Sequence, residues 1–318
     1  MAETILVTGG AGFIGSHVVD TLLEAGYSVA VVDDLHTGKR ENVNPAARFH
    51  LVDIRAAEAL EQVFAAERPA YVVHEAAWTD VRGSLTDPAG YAGVNVLGTL
   101  NLLEAARRSG GSRDPVRKMV FASTGGAIYG DPAELPATEA CPPAPLDAYG
   151  ASKLAAEGYF GVYRHNYGLD FCILRYGNVY GPRQDPLGEA GVVAIFTGQM
   201  LGNRVPLVNG DGRQSRDFVY VGDVARANLL ALTAGRGIYN LGTGVPTDVN
   251  CIWRELAELT GYGGPQQHGP AKAGEVQATY LDAGRAQREL GWTAQAPLAE
   301  GLARTVAYFR ERAVDQKQ

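Results

Sequence analysis

The chain has 318 residues, 46% of them hydrophobic and 20% charged, which suits one large α/β unit or a main domain with a smaller lobe. A formal net charge of -7 argues against a nucleic-acid binder, which more often presents a basic face. Cys141, Cys172 and Cys251 are far apart and odd in number, so they form neither a metal-ligand spacing nor a disulfide framework and read as free thiols in a reducing compartment. The opening MAETILVTGG has no basic stretch followed by an apolar one. No apolar run approaches the roughly 18 residues of a membrane span. A cytoplasmic location is expected, with no metal and with neither membrane nor nucleic acid as partner.

In chain order, TILVT at Thr4–Thr8 is an apolar run too short for a helix, and residues 13–25 then follow with helical spacing up to Gly26, a C-cap residue. SVAVVD at Ser28–Asp33 is the second strand. Further strands are expected at 49–52, 71–74, 118–122 and 170–174, with helices near 56–66, 91–108 and 149–167 between them. Strands apolar on both faces, alternating with helices, predict a parallel sheet covered by helices on both sides. Beyond about residue 181 the segments shorten and become rich in glycine and proline, as in NRVPLVNGDGRQ and GYGGPQQHGPAKAGE. They predict a second lobe interleaved with returns to the main sheet, one of them at 238–241. The domains are thus drawn as 1–180, with returns near 217–245, and 181–318.

The first strand runs directly into Gly9-x-x-Gly12-x-x-Gly15 and then a helix. The first glycine permits a tight turn, the second a close backbone approach to a pyrophosphate, and the third close packing of helix on strand; the helix N-terminus adds amide donors. Such a triplet alone is weak evidence, but its place between strand and helix makes it a dinucleotide fingerprint. Asp33 ends the second strand, where a carboxylate suits ribose hydroxyls and repels a 2′-phosphate, favouring NAD over NADP even with Lys39 and Arg40 nearby. Asp53-Ile54 follows the third strand and is placed to flank the adenine.

Tyr149 and Lys153 are four apart in YGASK and share one face of a helix. A phenol has a pKa near 10 and is a poor base at neutral pH. A nearby ammonium and a positive nicotinamide ring stabilise the phenolate, which then takes a proton from a sugar hydroxyl as hydride leaves the same carbon. Elsewhere Y-x-x-x-K is an ordinary exposed pair; below a complete fingerprint the catalytic reading is favoured.

With TGGAGFIGSH, VDDLHTGKRENV, VVHEAAWTDVRGS, STGGAIYG, YGASKLAAE, RYGNVYGPRQ, DGRQSRDFVYVGDVA and YNLGTG in this order, the chain resembles extended short-chain dehydrogenases/reductases, most closely UDP-glucose/UDP-galactose 4-epimerases. The resemblance covers nearly the whole chain. It implies a Rossmann-type doubly wound parallel sheet with a smaller substrate lobe, bound NAD, and 4-epimerisation of a UDP-hexose through a transient 4-keto sugar. It places Gly9, Gly12, Phe13, Ile14 and Gly15 on the pyrophosphate, Asp33 on the ribose and Asp53-Ile54 at the adenine. Ala76, Ala77 and Asn95 line the cofactor groove, and Tyr176 packs near the nicotinamide. Asn178 and Arg216 contact the sugar diphosphate, an arginine being suited to bidentate phosphate recognition. A homodimer through the helices at 91–108 and 149–167 is implied as well.

The chain departs from the family pattern in three places. The hydroxyl residue that relatives carry four before the loop tyrosine is Gly125 here; Thr124, Ser123 or a water must serve, and Thr124 is preferred. The Arg-Pro-Gly-Asp of many relatives is Lys272-Ala273-Gly274-Glu275, which keeps charge but loses the arginine fork. Glu75 stands where relatives carry an apolar residue. In addition, Thr279 occupies a position often held by a bulkier tyrosine, leaving room for a 2-acetamido group. Rival readings are a 4,6-dehydratase, opposed by Gly125-Gly126 where an Asp-Glu pair is needed, a UDP-glucuronate enzyme, a simple reductase, and a non-catalytic NAD-binding regulator.

Overall fold

The computed structural model describes residues 2–109, 115–186, 191–272 and 276–315. In chain order the strands are β1 (Thr4–Thr8), β2 (Ser28–Asp33), β3 (Arg48–Leu51), β4 (Tyr71–His74), β5 (Lys118–Thr124), β6 (Asp170–Tyr176), β7 (Asn178–Tyr180), β8 (Leu207–Asn209), β9 (Ser215–Tyr220), β10 (Gly237–Leu241), β11 (Pro246–Asp248), β12 (Gln267–Gly269) and β13 (Ala278–Thr279).

Seven of them form one parallel sheet in the order β10-β6-β5-β4-β1-β2-β3. Strand order reverses between β1 and β4, and the crevice at the carboxyl ends there is where open α/β sheets bind ligands. His74 holds the two strands at that point. The Thr99 hydroxyl donates to the Asn95 carbonyl at 2.6 Å, so it accepts from His74 Nε2 at 2.9 Å, which leaves Nδ1 to accept from the Thr8 hydroxyl at 2.7 Å. Burial pushes the imidazole pKa down to about 3, which keeps it neutral.

Both faces of the sheet are buried, and β1, β2 and β4 are rich in valine and other apolar residues to match. Helices Phe13–Glu24 and Val221–Thr233 cover one face, and Ala57–Glu67, Thr99–Ser109 and Ala148–Tyr167 the other. A separate core forms around Phe196, Phe218, Ile252 and Leu302, between helices Val192–Leu201, Val249–Thr260 and Leu298–Asp315. Leu290 and Trp292 return to the first core, a return that sequence did not reveal.

Gly177 marks the passage between the two sheets. Its amide donates to the Leu241 carbonyl at 2.8 Å, and a Cβ there would lie 2.9 Å from the Asp217 carbonyl oxygen. The chain leaves β6 through this gap and enters β7, which pairs with β9 in a smaller sheet that also holds β11 and β13.

Two differences from expectation bear on the site. β5 and β6 run two residues further, because Ser123↔Arg175 and Thr124↔Tyr176 continue the ladder. The helix expected at 91–108 is Pro88–Tyr91, a π-helical stretch Ala92–Gly98, and Thr99–Ser109. Such π stretches accompany functional sites, and this one carries Asn95. Among the described residues no helix is long and apolar enough to cross a membrane.

Candidate active site

One cleft of about 810 Å³ opens at the switch point, lined by Gly9, Gly12, Phe13, Ile14, Gly15, Asp33, Asp53, Ile54, Ala76 and Ala77. Gly9 has φ +72°, and a Cβ there would meet the Ala76 nitrogen at 2.6 Å. A Cβ at Gly15 would fall 2.1 Å from the Gly9 carbonyl oxygen. The helix Phe13–Glu24 begins after Gly12 with no side-chain cap and no acid in its first turn. Its first amides therefore point into the cleft unneutralised, ready for an anion. A side-chain-free cradle with an uncapped helix end fits a dinucleotide pyrophosphate.

Asp33 is held by the amides of Ala11 and Leu35, each at 2.9 Å. Burial raises its pKa, and the two amides oppose that. Lys39 is engaged by Asp185 at 3.3 Å, and the Arg40 guanidinium lies 4.5 Å from the centre of the Phe49 ring. Both cations that would welcome a 2′-phosphate thus have partners. Asp53 is gripped by the Arg55 guanidinium at 2.6–3.0 Å, which holds its carboxyl below the usual range.

Asn95 is a correction: it does not line the cleft. It is buried behind the wall, accepting from the Trp78 amide and donating to the Trp78 carbonyl and the Ser152 hydroxyl, each at 2.9 Å. Its effect on the cleft passes through Trp78, which does line it.

Beside Glu75, which lines the cleft, Tyr149 and Lys153 rise from helix Ala148–Tyr167, whose start is capped by Asp147 accepting from the Gly150 amide at 2.7 Å. The Thr124 hydroxyl stands near the Tyr149 phenol and eases its ionisation, while burial raises its pKa more strongly. Lys153 is buried, its ammonium donates to the Ala122 carbonyl at 2.8 Å, and burial lowers its pKa to about 8. Its charge bears on Glu75 and His74.

The two candidate hydroxyls separate cleanly. Ser123 and Thr124 are successive residues of β5 and point to opposite faces. Ser123 is a correction: its hydroxyl donates to Glu157 at 2.6 Å, inside a buried network that also holds the Arg175–Glu157 ion pair at 2.5 Å. Thr124 faces Tyr149 and caps the short turn Gly125–Ile128. Gly125 packs against Leu281, whose side chain would have to move for a Cβ there, since Cδ1 would lie 2.5 Å away.

The small sheet brings the expected sugar-side residues together. Thr279 in β13 pairs with Arg216 in β9, and Asn178 in β7 pairs with Phe218 in the same strand. A Cβ on Gly126 would lie 3.6 Å from Asn178 Oδ1 and 3.9 Å from Thr124 Oγ1, so the two polar groups flank one open glycine. Thr279 is buried, Arg216 half-buried and Lys272 exposed. Glu275 lies outside the described residues. Tyr176 is buried and donates to Glu75, which lines the cleft.

Residues 5–242 match the model of the NAD dependent epimerase/dehydratase family. The chain belongs to that family. Its structure is similar to that of a UDP-glucose 4-epimerase from Thermotoga maritima, solved with UDP-glucose, at 48% identity and TM-score 0.94 over 98% of this chain and 99% of that one. A UDP-glucose 4-epimerase from Thermus thermophilus, solved with NAD, is 47% identical with TM-score 0.91 over 96% and 99%. A UDP-N-acetylglucosamine 4-epimerase from Methanobrevibacter ruminantium, in complex with UDP-N-acetylmuramic acid, is 31% identical with TM-score 0.91 over 98% and 100%. As a family member the chain uses NAD, and the fold is the Rossmann-type α/β architecture.

Residues that sequence passed over also shape this family site. Trp78 stacks on His36 at 5.0 Å and meets Tyr91 edge-on at 5.5 Å across the cleft mouth. Aromatics after a strand end were the only sequence signal. Asn228, mid-helix and far along the chain, gave none.

Proposed function

We propose that the chain catalyses NAD-dependent 4-epimerisation of a UDP-hexose, interconverting UDP-glucose and UDP-galactose through a 4-keto sugar. The observation that carries this reading is the grouping of the Thr124 hydroxyl, the Tyr149 phenol and buried Lys153 beside Glu75, which lines a glycine-cradled cleft. The glycine turn and the uncapped helix hold the pyrophosphate, Asp33 the adenosine ribose, and Asp53-Ile54 the adenine. NAD, when bound, accepts hydride from sugar carbon 4, returns it to the opposite face, and brings a positive charge near the phenol.

The chain's own groups move the proton. Tyr149 takes it from the carbon-4 hydroxyl through Thr124 and gives it back to the carbonyl oxygen once the sugar has turned. Lys153 supplies the positive charge that makes a buried phenolate tolerable. Asn178 and Arg216 keep hold of the diphosphate during the turn, with Lys272 and Glu275 at the uridine end. A dehydratase is disfavoured because Gly125-Gly126 stand where that chemistry needs an acid pair.

Thr279 in place of a larger residue favours acceptance of N-acetylated sugars, as the likeness to the Methanobrevibacter enzyme suggests. We assign residues 1–180 with the returns near 217–245 to cofactor binding, the rest mainly to the sugar nucleotide, and the protein to the cytoplasm. A homodimer accounts for the exposed Leu97, Tyr159, Val162 and Tyr167 along the outer helices; sedimentation that returns a monomer at working concentration would dismiss it.

The test is equilibration of UDP-galactose by the purified protein, with sugar nucleotides separated. UDP-glucose formed without net NADH supports the reading, and UDP-GalNAc then tests the N-acetyl tolerance. No conversion of UDP-galactose overturns it.

A further inference from the structure

The proton path above leaves Glu75, an acid of the cleft, without a part. Glu75 follows β4, its amide donates to the Thr8 carbonyl at 3.1 Å, and its side chain lines the cleft. Asn228 Nδ2 donates to the Tyr176 hydroxyl at 2.8 Å, and that hydroxyl donates to Glu75 Oε1 at 2.7 Å. A phenol has one proton, so once Asn228 occupies it as acceptor its donation is committed to Glu75. The chain runs one way and ends on Glu75 as acceptor, an arrangement that favours the carboxylate over the acid.

The groups that face this carboxylate are Lys153 and Tyr149 from helix Ala148–Tyr167, Tyr176 from β6 and Asn228 from helix Val221–Thr233, with neutral His74 beside it on β4. Lys153 is held in place by the Ala122 carbonyl, and Glu157 acts on it from the far side. Asp33 fixes the adenosine end of the cleft, so a dinucleotide extended from there delivers its nicotinamide to the end where Glu75 stands beside the catalytic pair.

We propose that Glu75 sets the charge at the hydride end of the cleft, favouring the positively charged oxidised nicotinamide over the neutral reduced one. Opposite charges attract and a neutral ring gains nothing, so this carboxylate lowers the reduction potential of the bound couple. The same charge supports the Lys153 ammonium. Glu75 is a positioning residue, since neither proton nor hydride passes through it. The proposal rests on the NAD reading.

Burial pushes the Glu75 carboxyl up to about 7, with Tyr176, Lys153 and Asn228 pulling it back down. Its charge is therefore present above neutrality and lost as pH falls through about 7. The experiment equilibrates the NAD-loaded protein with a two-electron dye couple of graded potential and reads bound NADH by absorbance. Glu75→Gln is expected to raise the bound NADH/NAD ratio about tenfold at equal poise, about 30 mV for a two-electron couple. The wild-type ratio, corrected for the proton of the couple itself, should climb toward that of the variant on acidification, and the variant should lack this inflection. Superimposable wild-type and variant curves overturn the proposal. Should the variant fail to retain cofactor, the wild-type profile decides, and a flat one overturns it. A wild-type protein that binds no nicotinamide nucleotide overturns the NAD reading and the proposal with it.

Discussion

The cofactor side and the proposed sugar side of the site are built in opposite ways. The pyrophosphate and ribose part of the cofactor side comes from β1, the glycine turn, helix Phe13–Glu24 and β2, a continuous stretch in which each turn residue stands next to the element it serves. The sugar side is assembled from β7, β9 and β13, which lie far apart in the chain and meet only through a small sheet. Local geometry dictates residue identity on the first side, as the absent Cβ atoms of Gly9 and Gly15 demonstrate. On the second side strand pairing dictates it, as Arg216 opposite Thr279 demonstrates. The Tyr149 helix stands between the two and belongs to both.

Breaking that shared helix should have the largest effect. Tyr149→Phe is expected to cut kcat by about 10²–10⁴-fold while leaving bound NAD in place, which equilibration kinetics and the cofactor content of the purified variant would check. Next comes the locally dictated side. Gly9→Ala puts a side chain at φ +72° and 2.6 Å from the Ala76 nitrogen. Left-handed strain costs about 1–2 kcal/mol and the overpacking about 1–3 kcal/mol, so thermal melts should fall and NAD content with them.

On the assembled side, Arg216→Ala removes a charge-assisted contact of about 1.5–3 kcal/mol, so KM for the sugar nucleotide should rise roughly tenfold or more with NAD binding intact. Loss of bound NAD in that variant would erase the distinction between the two sides. The neighbouring hydroxyls sharpen it further. Thr124→Val should lower kcat several-fold, in line with a neutral hydrogen bond of about 0.5–1.5 kcal/mol, whereas Ser123→Ala should cost stability of about 1–3 kcal/mol by leaving Glu157 short of a donor, with kcat nearly unchanged. The smallest effect is on pH. Burial disfavours the Lys153 ammonium, so it gives up its proton as pH rises through about 8, and kcat/KM should decline above that point in a pH–rate profile.

What could be read from sequence follows the same division. The glycine turn, Asp33 and the Tyr149–Lys153 spacing depend on neighbours within a few residues, and the structure sets them around one crevice. Asn95 reads as a groove residue, but the π-helical stretch turns it inward onto Trp78, and sequence has no marker for that turn. Thr124 is preferred over Ser123 in sequence, but the physical ground for the choice, which face of β5 each hydroxyl takes, depends on where β5 ends, and the ladder reaches Thr124 through its pairing with Tyr176. Glu75 remained without a role until Tyr176 and Asn228, from other elements, were seen to converge on it.

The position of β10 has a consequence for synthesis. β6 reads DFCILRY and is buried almost throughout, yet its outer edge is closed only by β10, which leaves the ribosome much later. Until then an apolar strand offers unpaired amides and carbonyls to any other chain nearby. A product truncated before Gly237 keeps that edge open for good, so premature termination in the second half of the chain should yield aggregates rather than an inactive soluble fragment.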